Sequence, residues 1–422
     1  MRIYPHPEGI YMPSVFYYRR NMSTTEKSTV YLCECKEYDE KLIKGLIENV
    51  AEQMGGMGCV LPQKDKKVLI KPNLLTKATP EKAVTTHPAV FGAVASFLRD
   101  SGYGNLTFGD SPGTHYMGAD KVAEFCGILD KAKEYGVPLA DFEGGEEVAY
   151  PEGKAAKSFI IANGVLDCDC IVNVCKMKTH MLERMTGAQK NLFGIVYGFN
   201  KGATHVKYPN SVEFAKALAD LNRRYVPVLH VMDAIEAMEG NGPSGGVPRY
   251  MGKLLISQDP VALDTVACAL MDLSPELVPT NVIGEEFGVG NMNGDNIKIV
   301  YINGDEQSEL TVNDVREKLG CKEFDVYRGA QDKGKISYLE PFKPLLQKKP
   351  VIDGEKCVGC GVCVQSCPAE PKAVYIKKGE KIPRYNYRRC IKCFCCQEMC
   401  PRHAISAGTS RLARFIDRNW KL

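Results

Sequence analysis

The chain has 422 residues, 44% hydrophobic and 25% charged, with a formal net charge of +3 at pH 7. That length predicts two or three domains rather than one. No stretch approaches the ~18–20 uninterrupted apolar residues of a membrane span. The basic residues are not interleaved with a stacking platform, which sets nucleic-acid binding aside.

Residues 1–28 read as a disordered extension, aromatic and Pro-rich (Tyr4, Pro5, Tyr11, Pro13) without a signal peptide's apolar core, and Met22 reads as the natural start. From 29 to 330, strand-like and helix-like runs alternate. Strands are predicted at 30–33, 67–71, 105–110, 170–174, 228–233, 253–257 and 297–302, and helices at 40–54, 88–100, 212–223, 261–271 and 312–319. Pro88 and Pro260 stand where a first helical turn accepts proline. The alternation predicts an α/β domain with a mainly parallel sheet, in which ligands gather at the C-terminal ends of strands.

Polar clusters follow several of these strands. Lys71 and Asn73 end one, the segment GDSPGTH with His115 ends another, and NVCKMKTH carries Lys176, Lys178 and His180 out of a third. Thr186 and Gly187 form a turn that opens a helix with Lys190 in its first turn. Free amides at a helix N-terminus predict an anion site there, and a lysine opposing the dipole calls for an anionic partner or a catalytic task. His180 and His205, and behind them His115, are the candidates for proton transfer or metal ligation. His87 reads as a helix cap and His230 as a buried strand residue. Asp233, Glu236 and Glu239 are expected on neighbouring helical positions, either as cation or acid–base groups or as caps of the Gly-rich turn after them. Asp259 and Asp264 read as an N-cap and a first-turn carboxylate.

Residues 331–350 are Pro- and Lys-rich and read as a linker. Residues 351–405 then carry two cysteine runs, Cys357-x2-Cys360-x2-Cys363-x3-Cys367-Pro368 and Cys390-x2-Cys393-x2-Cys396-x3-Cys400-Pro401. Residues 406–422 form a tail whose Leu412, Phe415, Ile416 and Trp420 share one helical stripe, predicted to pack back on the protein. A cubane of four irons and four sulfides needs four converging thiolates, three of which one tight loop can supply. Zinc also uses Cys-x2-Cys, but has no use for a duplicated run of four ending in Pro. Cys395 reads as a small buried filler, and the nine cysteines outside the runs as buried thiols. Such usage predicts a reducing cytoplasm.

Over about 350–405 the runs resemble the two-cluster bacterial ferredoxins, a small α+β fold. The resemblance implies two [4Fe-4S] clusters, because the last Cys of each run serves the other cluster. One would be held by Cys357, Cys360, Cys363 and Cys400, the other by Cys390, Cys393, Cys396 and Cys367. Residues 351–422 carry 14 Lys/Arg against 6 Asp/Glu, and residues 1–350 carry 40 against 45. The basic module therefore suits either the acidic main domain or an acidic electron donor.

The segments IKPNLL, TTHP, GDSPGTH, NVCKMKTH, TGAQKNLFG, DAIEAMEGNGP and DPVALDTVA resemble the domain of unknown function 362 family along most of 30–300, a label that implies no reaction. A more distant similarity is to the nickel-pincer lactate racemases. It implies that His115, His180, Lys190 and His205 stand where those enzymes have two proton-trading histidines, a lysine holding the pincer and a nickel-ligating histidine. The chain departs from them at TGAQK and KPNLL. Three functional readings follow. In the first, the cluster module relays electrons to a small anionic substrate or cofactor held among Lys71, His115, Lys176, Lys178, His180 and Lys190. In the second, the clusters maintain a redox-sensitive organic or nickel cofactor of a racemase- or isomerase-like enzyme. In the third, the chain is a non-enzymatic electron carrier whose large domain docks a redox partner protein.

Overall fold

The computed structural model describes residues 27–61, 63–113, 118–198, 200–329 and 348–408. Residues 1–26 of the expected extension, His115, most of the predicted linker and the helical stripe of the tail lie outside the described residues, whereas Ser28, expected to be disordered, is buried at the start of the first strand. Strands β1 (Ser28–Glu34), β2 (Val68–Lys71), β3 (Leu106–Phe108), β6 (Cys170–His180), β7 (Arg184–Thr186), β8 (Leu229–Glu239), β9 (Val247–Ser257), β10 (Ile297–Asn303) and β11 (Glu306–Leu310) form one nine-stranded sheet. Between β3 and β6, β4 (Gly145–Ala149) and β5 (Ser158–Ala162) make a separate hairpin. The sheet order is β11-β10-β1-β9-β8-β6-β2-β3, with β7 folded back on β6. The block β8-β6-β2-β3 is parallel and β10 runs parallel to β1, whereas β9 and β11 are antiparallel to their neighbours.

Helices cover both faces, as a buried parallel block requires. Alternate residues of β2 and β6 (Val68, Ile70, Val172, Val174) pack under the helices Glu40–Gln53 and Pro88–Asp100. Their neighbours Leu69 and Ile171 meet the helix Ser211–Arg224, and Cys175 and Met232 meet the helix Pro260–Leu270. Caps place these helices. His87 Nδ1 accepts from the Ala89 amide, Asn210 from Glu213, and Asp259 from Val261 and Ala262.

Two strands run further than expected. β6 continues to His180, every residue buried, because β8 pairs it on one side and β7 closes on its end. The segment DAIEAME, expected to be helical, is instead the second half of β8. Pairing with β9 across a bulge between Ala234 and Glu236 overrides its helix-favouring composition. Asp233, Glu236 and Glu239 therefore do not share a helical face.

The C-terminal part is small. β12 (Lys349–Ile352) pairs with β15 (Ile405–Gly408), and β13 (Val374–Tyr375) with β14 (Arg384–Tyr385). A one-turn helix carries the third cysteine of each run, Cys363 in Val362–Gln365 and Cys396 in Cys395–Glu398.

Candidate functional site

A cavity of ≈ 810 Å³, part of it open to solvent, lies where the C-terminal ends of β2 and β6 meet the C-terminal module. Its α/β wall includes Asn73, Lys178, Thr186, Lys190 and His205. Its other wall is Ser366, Cys395, Glu398 and Met399, from the two cysteine runs. The strand-end location is the one expected of a parallel sheet.

Lys178 is 1% exposed, and its Nζ donates to two neutral acceptors, Asn73 Oδ1 and the Val84 carbonyl, each at 2.7 Å. Burial first, then the like charges of Lys190 and Lys176, push its pKa down to about 7. Lys190 enters the cavity from the four-residue helix Ala188–Asn191 and makes no ion pair among the described residues. Its charge is felt at Lys178, His180, Glu183, His205 and Glu398.

The two histidines differ. His180 Nδ1 accepts from the amides of Leu182 and Glu183, both at 3.1 Å. An Nδ1 used twice as acceptor leaves the ring neutral, with its hydrogen on Nε2, which stands 2.8 Å from Glu398 Oε1. Burial and Lys190 keep its pKa near 4, in line with that tautomer. Burial alone would raise the Glu398 carboxyl, but His180 and Lys190 hold it below the usual carboxylate range. His180 is thus fixed across the junction rather than free in the cavity. His205, on the helix Asn200–Lys207, stacks on Phe214 with ring centroids 4.3 Å apart. It is 5% exposed, and its buried Nδ1 has no hydrogen-bond partner. Burial lowers its pKa to about 4.

Other predicted residues stand elsewhere. Lys71 is fully buried against Asp110 at 2.9 Å, so only Asp110 reaches the cavity. Gly194 makes this pair possible, since a Cβ there would run into Asp110 Oδ1 and Lys71 Nζ. Lys176 is paired with Asp233 at 2.7 Å and donates to the Tyr38 hydroxyl, so both residues form a buried structural pair away from the cavity. The helix opened by Thr186 and Gly187 also corrects an expectation. Its first amides, Ala188 and Gln189, donate to the Asp264 carboxylate at 2.6 and 3.1 Å. The anion at that N-terminus is thus the protein's own, and burial raises its carboxyl to about 7 against the pull of those amides.

The cysteines converge as two crossed sets. Cys357, Cys360, Cys363 and Cys400 line one small cavity, and Cys367, Cys390, Cys393 and Cys396 another. The backbone amides of Ala404 and Ala373 donate to the sulfurs of Cys400 and Cys367 at 3.3 and 3.4 Å, and the Tyr385 hydroxyl donates to Cys396 at 3.1 Å. Among the described residues no group of three or more His, Cys, Asp or Glu is gathered tightly enough for a single metal ion. The donor set and the cavities fit a cubane in each. Cys395, expected to be a buried filler, is half-buried and lines the larger cavity. Of the other nine, Cys59 is exposed and Cys321 half-buried.

Sequence reasoning missed Glu398 and Glu183, and read Asp264 as a first-turn carboxylate of its own helix rather than the acceptor for another. Glu398 carried a signal, an acid placed between two cysteines of a run. Glu183 is fully buried, both of its carboxyl oxygens lack a hydrogen-bond partner, and burial raises its pKa to about 8. Nothing in the sequence distinguished it from an ordinary turn residue.

Comparison with known proteins places these features in a family. Residues 68–269 match the domain of unknown function DUF362, and residues 349–401 match the 4Fe-4S dicluster domain. The chain is 33% identical over 262 residues to the thylakoid-associated protein sll1697 of Synechocystis sp., covering 62% of this chain and 80% of that one. Among solved structures, the lactate racemase apoprotein of Thermoanaerobacterium thermosaccharolyticum aligns with a TM-score of 0.36 and 12% identity, over 56% of each chain. A Thermotoga maritima protein aligns at 0.31 and 16% identity, over 53% of this chain and 56% of its own. Among the described residues no helix is long and apolar enough to cross a membrane. The chain belongs to the DUF362 family and carries a C-terminal 4Fe-4S dicluster domain.

Proposed function

We propose that this is an iron–sulfur oxidoreductase of a reducing cytoplasm, in which the dicluster module relays electrons to a small anionic substrate or cofactor in the cavity between the two parts. The observation that carries the reading is the shared wall: Lys178, Lys190 and His205 face Cys395, Glu398 and Met399 of the second cysteine run across one cavity. Cys357, Cys360, Cys363 and Cys400 would hold one cluster, and Cys390, Cys393, Cys396 and Cys367 the other. When bound, the clusters supply one-electron carriers. The protein's own groups do the rest. Lys190 and Lys178 attract the anion, and Asn73 and Thr186 orient it with neutral polar groups. His205 Nδ1 offers an unused buried polar atom at the cavity wall for a proton or hydrogen bond. His180 holds Glu398, and through it the second run, against the cavity.

Isothermal titration of the anaerobic, cluster-loaded protein with small mono- and dicarboxylates and inorganic phosphate tests the binding half. At least one should bind the wild type and bind Lys190→Ala about tenfold or more weakly, as expected for loss of a buried charge-assisted contact. Equal binding by the two proteins would count against the site.

A further inference from the structure

The two cysteine sets face different surroundings. Cys393 and Cys396 are each 7% exposed, and the short helix that follows Phe394 is fastened to the α/β domain. Gln397 Nε2 donates to the Asn241 carbonyl, the Asn241 side-chain oxygen and the Gly242 carbonyl, at 3.0–3.2 Å, and Ser244 Oγ donates to the Glu398 carbonyl. By contrast, Cys360 of the first run is exposed. The loop joining β13 to β14 lies against this run. A Cβ on Gly361 would meet Ile376 at 3.9 Å, and one on Gly359 would meet Lys381 at 2.7 Å. Val358, Ile376 and Ile382 are 47%, 38% and 41% exposed here. Lys377, Lys378 and Lys381 are exposed beside them and make no ion pair among the described residues. The nearby Glu380 is already held by Arg384, at 2.7 and 2.8 Å.

Among the described residues, Lys377, Lys378 and Lys381 make no ion pair with the acidic α/β domain. The junction is built of amide hydrogen bonds, and at its carboxylate contact the module supplies the acid, Glu398, and the α/β domain the neutral His180 ring. An apolar centre with a basic rim over the cavity of the first cysteine set is complementary to an acidic partner.

We propose that the face formed by Val358, Ile376, Ile382, Lys377, Lys378 and Lys381 docks an acidic one-electron carrier protein, so that electrons arrive at the first cysteine set and leave through the second. The inference rests on the cluster ligands assigned above. The cluster that Cys357, Cys360, Cys363 and Cys400 would hold would supply the acceptor for one electron from the reduced carrier, with no bond made and no proton exchanged.

The test uses the cluster-loaded full chain and, as probe, a plant-type [2Fe-2S] ferredoxin with an acidic surface, with binding read by surface plasmon resonance under anaerobic conditions. Wild-type affinity should fall as salt screens the contact. The variant K377E/K378E/K381E should bind roughly tenfold or more weakly at low salt with unchanged iron content, and K377Q/K378Q/K381Q should fall between it and wild type. A control variant, K36E/K41E/K64E on the α/β domain, should bind as wild type does. The proposal is overturned if the control loses as much affinity as the first variant, or if binding is indifferent to salt and to both substitutions. The readout is independent of small-anion binding in the cavity, so Lys190→Ala should leave it unchanged even if the function proposed above is wrong.

Discussion

Lys178 shows how one residue couples burial to function. Its pKa near 7, set by burial and by Lys190 and Lys176 against the weaker pull of Asp110 and Glu398, lies below the ordinary lysine value of 10.5. Between about 7 and 10.5 the folded chain therefore binds fewer protons than the unfolded chain, and this residue's contribution to stability rises with pH across that window. Its charge, and with it the share of anion attraction proposed for it, is present below about 7 and falls away above. Titration calorimetry of the same anion at pH 6 and pH 8 should show weaker binding at pH 8, and Lys178→Met should flatten that difference. Gly194 belongs to the same scale. Gly194→Ala puts a methyl group into the buried Lys71–Asp110 pair and should cost about 3 kcal/mol in denaturant unfolding. A variant as stable as wild type would show that the pair can move aside.

At the scale of elements, the turn from β7 into the helix Ala188–Asn191 depends on Asp264 from a different helix. Asp264→Ala leaves the Ala188 and Gln189 amides buried without acceptors and should destabilise the chain by about 2–4 kcal/mol. Asp264→Asn, which keeps an acceptor, should cost less, and the difference can be read from chemical denaturation. The seven predicted strands and five predicted helices all correspond to elements in the structure, because hydrophobic period and proline-marked helix starts are local signals. What was not legible depended on distant partners. Lys176 and Lys178 look like a strand end in sequence, yet they lie inside β6, because Asp233, Tyr38 and Asn73 arrive to satisfy them. DAIEAME reads as a helix until β9 lies beside it. Lys190 was found by its place after a Thr-Gly turn, but Asp264 fills the amide site that turn seemed to offer.

For the whole molecule, the cavity exists only where the C-terminal module sits on the strand ends. The cysteine spacing announced the module, whereas the spacing carried no information on which loop would face the α/β domain. That orientation comes from Gln397, Asn241 and the His180–Glu398 contact. Gln397→Ala should loosen the junction without removing a cysteine, seen as faster hydrogen exchange at Asn241 and Ser244 with iron content unchanged. The measurement that bears most directly on the account follows the absorbance of anaerobically reduced, cluster-loaded protein mixed with an anionic small-molecule fraction of cell extract. The wild type should be reoxidised by at least one such fraction, and Lys190→Ala by none at a comparable rate. Equal reoxidation of the two proteins, or of neither, would contradict delivery of electrons to an anion held in this cavity.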